Sequence, residues 1–251
     1  MGSAAWAQTK TAPRKSPAAP KKAAPAAYDS ALLQPATLKA KAPGTYEVKF
    51  VTTKGDFTVK VTRAWSPLGA DRFYNLVKHG FFDGASLFRV VPGFVVQFGL
   101  SAYPKVSTAW QNAVIKDDPV QDHNTKGRIT YAMGGKDTRT TQVFINLGNN
   151  SRLDSMGFSP FGEVSDGMDV VEQLYGGYGE ATTSKQGEIS QGGKAYLEKN
   201  FPKLDTIKSA TLVATGAPEA PPPAKAPAKT GAAPAKKAPA KKAAVPAKKT
   251  P

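Results

Sequence analysis

Residues 81–99 read Phe81-Phe82-Asp83-Gly84-Ala85-Ser86-Leu87-Phe88-Arg89-Val90-Val91-Pro92-Gly93-Phe94-Val95-Val96-Gln97-Phe98-Gly99. Two dense apolar runs, 87–91 and 94–98, are split by Pro92-Gly93, a dipeptide that turns a chain. Short apolar runs bounded by turn residues read as strands. Each run holds one polar misfit, Arg89 in the first and Gln97 in the second. Burying an unpaired guanidinium is costly, so the head of Arg89 must reach water, a partner or a ligand. For Arg89 taken alone, a barrel wall with its polar residues toward solvent is the better reading. Its surroundings have to decide.

Upstream, Tyr46, Val48 and Phe50 alternate with polar residues, Lys54-Gly55-Asp56 turns the chain, and Phe57, Val59 and Val61 alternate again. That is a β-hairpin. Ser66-Pro67 reads as an N-cap followed by proline at the first helical position, with Phe73, Leu76 and Val77 at helical spacing and Gly80 as terminator. Downstream, 131–133 and 142–147 read as strands around a polar loop, 134–141. Short helices begin near Asp166-Gly167 and at Lys194, and a last strand lies near 206–213. Many strands, few helices and glycine-bearing turns predict an antiparallel barrel or a sandwich.

The chain has 251 residues and a net charge of +15, unevenly placed. Residues 1–27 carry five cations and no acid. Residues 217–251 carry eight lysines against Glu219 alone, which leaves +3 for residues 28–216. Both ends are Ala/Pro/Lys mixtures, and Pro-Ala-Lys-Lys recurs at 234–237, 239–242 and 246–249. Proline interrupts helix, like charges repel, and no large side chains are there to bury, so the composition predicts disordered tails around one domain at 28–216. The C-terminal tail reads as a solvated spacer or as a binder of polyanions, nucleic acid or an envelope polymer.

No apolar run approaches the ~18 residues of a membrane span. Ala5-Trp6-Ala7 before Gln8 matches the small-x-small site of signal cleavage, although no charged and apolar signal regions precede it. The match favours a periplasmic or secreted protein over a cytoplasmic one. With no cysteine and only His79 and His123, no zinc site of the usual kind can be assembled. His123, near Asp117, Asp118 and Asp122, reads as part of a polar surface loop. Gly134-Gly135-Lys136 lacks the spacing of a phosphate loop, and no hydrolase nucleophile motif is present.

The stretch 81–99 resembles the cyclophilin signature, an aromatic–x–Gly run leading into Phe-x-Arg-(Ile/Val)-(Ile/Val)-Pro-Gly-Phe-x-x-Gln-x-Gly, with Leu87 at the usual phenylalanine. Gln142-Val143-Phe144-Ile145 resembles the family's second signature strand, and Leu153-Asp154 with Phe161-Gly162-Glu163-Val164 its third. The order and intervals agree over roughly residues 45–215. The resemblance implies a mainly β fold, a closed antiparallel barrel with two or three short helices, acting as a monomeric peptidyl-prolyl cis/trans isomerase on proline-containing polypeptides. It implies no cofactor and no metal.

Carried over by position, the resemblance assigns catalysis to Arg89, Phe94 and Gln97. Arg89 is the catalytic arginine, Phe94 belongs to the proline pocket, and Gln97 positions the peptide. It assigns the pocket also to Val95, Phe144 and Leu153, backbone contacts to Ala132 and Met133, and rim positions to Thr141 and Phe158. Phe88 replaces the family's usual histidine, Val95 a methionine, and Arg152 the tryptophan of cyclosporin-sensitive members. Residues 176–205 look like an insertion. These residue types suit a reaction whose barrier, about 18–20 kcal/mol, is amide resonance. An apolar pocket excludes water, and a guanidinium can donate to the proline nitrogen as it pyramidalises. A non-catalytic module that holds proline peptides while the tails tether it is the alternative.

Overall fold

The computed structural model describes residues 28–213 together with Gly2. The Ala5-Trp6-Ala7 site and the two basic tails lie outside the described residues.

The hairpin read from residues 46–61 forms as β1 (Thr45–Thr52) and β2 (Asp56–Thr62). Their register sets Tyr46 against Val61, Val48 against Val59 and Phe50 against Phe57. Because side chains alternate across a strand, all six point to one face, and all six are buried. Phe50 and Phe57 stack with centroids 4.8 Å apart, and Phe73, Phe82 and Phe98 pack around Phe50. Burial of this kind contributes about 1.5–3 kcal/mol for each large apolar side chain.

Six further strands extend the sheet: β3 (Arg89–Val91), β4 (Val95–Phe98), β5 (Arg128–Tyr131), β6 (Val143–Asn146), β7 (Pro160–Asp166) and β8 (Ile207–Val213). The order is β3-β4-β6-β5-β7-β2-β1-β8, and every pairing is antiparallel. The sheet curls until its edges meet. The amide of Gly84 donates to the carbonyl of Ile207 and the amide of Ile207 to that of Ala85, both at 2.8 Å. The Leu87 amide reaches the Asp205 carbonyl at 3.0 Å. The chain entering β3 thus closes the ring against the chain entering β8.

Helix α1 (Pro67–Lys78) buries Ala70, Phe73, Leu76 and Val77 against the core. Its N-terminus is capped differently from the sequence reading. The Ser66 hydroxyl makes no cap bond to the helix but donates to Asp118 at 2.6 Å. The Asp118 carboxylate accepts the Leu68 and Gly69 amides at 3.1 and 2.9 Å. Arg139, 2% exposed, pairs with Asp118 at 3.0 Å. Asp118 therefore leaves the surface loop to which the sequence assigned it, whereas the His123 side chain, 76% exposed, stays there. Two orphan helix amides and a buried guanidinium need a carboxylate, and only the folded chain brings one to them.

Helix α2 (Pro104–Trp110) carries too few apolar residues to announce itself in the sequence. It docks through Val106 and Trp110, whose indole donates to the Leu32 carbonyl at 2.8 Å. A short α3 (Met168–Glu172) follows β7. Helix α4 (Gln186–Asn200) starts well before the Lys194 expected from sequence and is broken at Gly193, where φ is +56°. A Cβ at Gly193 would lie 2.4 Å from the Ala102 carbonyl oxygen, which also accepts the Lys194 amide at 2.9 Å. The break lets the helix press on the chain after β4. Ile189, Leu197 and Leu204 form a second small core there with Phe88. The ring at the usual histidine position is thus a floor for the segment 176–205.

Candidate active site

The strand registers set the site. Arg89 lies opposite Gln97 in the β3–β4 pair, Gln97 opposite Phe144 in β4–β6, and Phe144 opposite Thr130 in β5–β6. The neighbouring row, Val90, Val96, Ile145 and Ile129, is buried in the main core. Alternation therefore turns Arg89, Gln97 and Phe144 to the outside of the barrel. The polar misfits of 87–98 fall on one face because they share a row.

On that face Val95, Phe144 and Leu153 make a third apolar cluster, flanked by Phe94, Ala132 and Phe158. A cavity of about 170 Å³ opens among them, lined by Arg89, Phe94, Val95, Gln97, Ala132, Met133, Phe144, Leu153 and Phe158. The structure thus brings together nine of the ten residues that the sequence assigned to the site. Phe158 meets Phe144 edge-on at 5.9 Å. The Ala132 amide is already committed to the Gln142 carbonyl at 2.9 Å, so a peptide cannot use that donor.

The tenth, Thr141, does not line this cavity. Its hydroxyl donates to the Gly99 carbonyl at 2.8 Å, and it lines a neighbouring cavity with Leu100, Ser107 and Ser190. The reason is Gly99. With φ at +107°, and with a Cβ that would lie 2.3 Å from the Thr141 carbonyl oxygen, this glycine lets the two backbones touch. That contact seats Thr141 in the wall of the neighbouring cavity.

The Arg89 side chain is 17% exposed and makes three hydrogen bonds. Nη1 donates to Oε1 of Gln97 at 2.9 Å, and Nε2 of Gln97 donates to Oε1 of Gln142 at 2.8 Å. Nε and Nη2 donate to the two carboxylate oxygens of Glu180 at 2.8 and 2.5 Å. The guanidinium holds the Glu180 carboxyl below its ordinary range. Arg89 also lies over the Phe94 ring at 5.5 Å, and Arg152, at the family's tryptophan position, lies over the same ring at 5.2 Å. Phe94 is thus a cavity wall with two cations on its π-system.

Buried amides brace the far wall. Asn150 donates to the Phe94 carbonyl at 2.9 Å, and Asn124 to the Phe158 carbonyl at 2.8 Å. Asp154, next to Leu153, accepts the Asn124 backbone and side-chain amides and pairs with His123 Nδ1 at 2.9 Å. Burial pushes the Asp154 carboxyl up, but hydrogen bonds from Asn124 and His123 outweigh it and hold the group below its ordinary value. Sequence reading missed Asn124, Gln142 and Glu180 as parts of the site. Gln142 had a signal in its place two residues before Phe144. Glu180 had none.

Residues 47–193 match the family described as "Cyclophilin type peptidyl-prolyl cis-trans isomerase/CLD". The chain belongs to the cyclophilin-type peptidyl-prolyl cis/trans isomerases. This cyclophilin is 30% identical over 132 residues to peptidyl-prolyl cis-trans isomerase A of Dickeya dadantii, covering 51% of the chain and 70% of that relative. It is 28% identical over 175 residues to peptidyl-prolyl cis-trans isomerase B of Escherichia coli, covering 66% of the chain and 98% of that relative. Its fold is that of a cyclophilin-type isomerase from Cryptosporidium parvum, with a TM-score of 0.51 at 17% identity, over 68% of this chain and 99% of that one. Every strand residue of the cavity lies inside the matched segment. Among the described residues no cluster of potential metal ligands occurs, and no helix is long and apolar enough to cross a membrane.

Proposed function

We propose that this cyclophilin accelerates rotation about X–Pro bonds by donating a hydrogen bond from Arg89 to the proline nitrogen in the twisted state. The observation that carries the reading is a guanidinium, bonded to Gln97, at the edge of a cavity whose other lining side chains are apolar, on the outer barrel face. Phe94, Val95, Phe144 and Leu153 would hold the ring and keep water off the amide, which weakens the resonance that polar solvent favours. Of the five N–H bonds of a guanidinium, Gln97 and Glu180 take three. The two that remain supply the donor. As the peptide twists, its nitrogen lone pair leaves conjugation and becomes a better acceptor, so the bond is stronger in the transition state than in either planar isomer. Gln97 fixes the donor and offers its own amide to the peptide.

A peptide isomerisation assay of wild type beside Arg89→Ala tests this. Loss of most turnover in a folded variant supports the reading, and wild-type activity sinks it. A non-catalytic proline-binding module is not favoured, because the relatives are named as isomerases and the Arg89–Gln97 pair is intact.

The same proposal takes the protein to act as an exported monomer whose C-terminal tail associates with polyanions. The small-x-small match at 5–7 supports export, and eight lysines opposed by one acid in 217–251 support polyanion binding.

A further inference from the structure

The segment 176–205 touches the Arg89 row at both ends. At one end the Glu180 carboxylate takes Nε and Nη2 of Arg89. At the other, Gln186 Oε1 accepts from Gln142 Nε2 at 3.0 Å, which completes a chain Glu180–Arg89–Gln97–Gln142–Gln186. Glu180 is itself held, since the Thr183 hydroxyl donates to its Oε2 at 2.7 Å. The turn that carries it, the 3-10 helix Gly179–Lys185, is pinned by Thr182, whose fully buried hydroxyl donates to the Phe88 carbonyl at 2.6 Å. Two residues of one turn, Thr182 and Glu180, thus grip the backbone just before Arg89 and the guanidinium of Arg89.

We infer that Glu180 is a positioning residue for the isomerase reaction, clamping the Arg89 guanidinium in the plane that leaves its free N–H groups toward the proline cavity. The inference rests on the proposed role of Arg89. An arginine side chain has many rotamers, and the single bond to Gln97 leaves it free to swing. A bidentate carboxylate fixes both the plane and the edge. Neutralisation of the guanidinium would work the other way, as a brake. The Glu180 side chain is 56% exposed, however, so water screens its charge and the geometric effect outweighs the electrostatic one. The clamp uses the Nε edge and leaves one N–H on each Nη nitrogen.

The full-length chain tests this with an X–Pro peptide, measuring kcat and KM separately for Glu180→Gln and Thr183→Val. Glu180→Gln keeps the size of the side chain at a half-exposed site and removes the bidentate acceptor. Its kcat should fall on the order of threefold to tenfold, with KM and melting temperature nearly unchanged. Thr183→Val, which frees the carboxylate without touching Arg89, should show a smaller loss in the same direction. The Arg89 Nε–H resonance should be sharp and slow to exchange in wild type and should lose that protection in Glu180→Gln. In an Arg89→Ala background, Glu180→Gln should cost nothing further. If Glu180→Gln turns over as fast as wild type or faster while Arg89→Ala is inactive, the positioning role is overturned and the Arg89 reading stands. If Arg89→Ala is itself active, both fall.

Discussion

Arg89 and Gln97 face each other across the β3–β4 pair, and the guanidinium Nη1 donates to the glutamine Oε1 at 2.9 Å. They lie eight positions apart in the chain, and the three-residue turn 92–94 with antiparallel register makes them neighbours. The pair joins an apolar cavity to a polar chain that runs along the barrel wall, so substitutions at its ends separate catalysis from folding.

Arg89→Ala should remain folded, because the side chain leaves the core face, and should lose turnover on the order of tenfold to a thousandfold. Arg89→Lys should recover little, since an ammonium cannot bond Glu180 through two nitrogens and keep Gln97. Peptide isomerisation rates beside circular dichroism spectra of each variant check both statements.

Asp118→Ala should destabilise by about 3–5 kcal/mol without direct effect on catalysis. It takes from the buried guanidinium of Arg139 the nearer of its two carboxylates, leaving Asp117 at 3.4 Å, and leaves two amides of α1 uncapped. Urea unfolding of the variant, with activity measured where it remains folded, is the measurement. A loss under about 1 kcal/mol would mean that water replaces the carboxylate.

Asp154 ties the Leu153 wall to acid stability. Its folded carboxyl titrates below the ordinary 3.8. A depressed carboxyl contributes stability that is fully present above its unfolded value and is lost as pH falls through the folded one. Wild type should therefore show a steeper decline in stability below about pH 4 than Asp154→Asn, which should be less stable at neutral pH. Unfolding free energies at several pH values compare the slopes.

Gly99→Ala should cost about 2 kcal/mol or more, because it combines a positive φ with a Cβ driven against the Thr141 carbonyl. Thr141 and Gln142 must shift to relieve it, so turnover should fall beyond the loss of stability. Thermal unfolding and peptide kinetics on the same preparation separate the two effects.

Replacing the eight lysines at 225, 229, 236, 237, 241, 242, 248 and 249 with glutamine in the full chain should weaken retention on heparin and leave kcat/KM unchanged. Binding of the unsubstituted chain should fall steeply with salt, as counterion release requires. Equal retention of both proteins would move the basic site to residues 1–27 or to the barrel.

The hairpins, the turn at Pro92-Gly93 and the misfit of Arg89 in an apolar strand were legible in the sequence, because alternation and turn chemistry act between residues close in the chain. The cavity followed from the same local order. Once β3, β4 and β6 pair in register, Arg89, Gln97 and Phe144 must share a face. Three things depended on contacts between distant segments, which no local pattern encodes. Asp118 became a buried helix cap fifty residues from its helix, Thr141 was seated in the neighbouring cavity by the close approach of Gly99, and Gly193 divided a helix so that it could reach Ala102. Glu180, ninety-one residues from Arg89, is the clearest case. In the sequence it is an acid in a polar stretch. Only the packing of Ile189, Leu197 and Leu204 onto Phe88, and the bond from Thr182 to the Phe88 carbonyl, bring its carboxylate to the guanidinium.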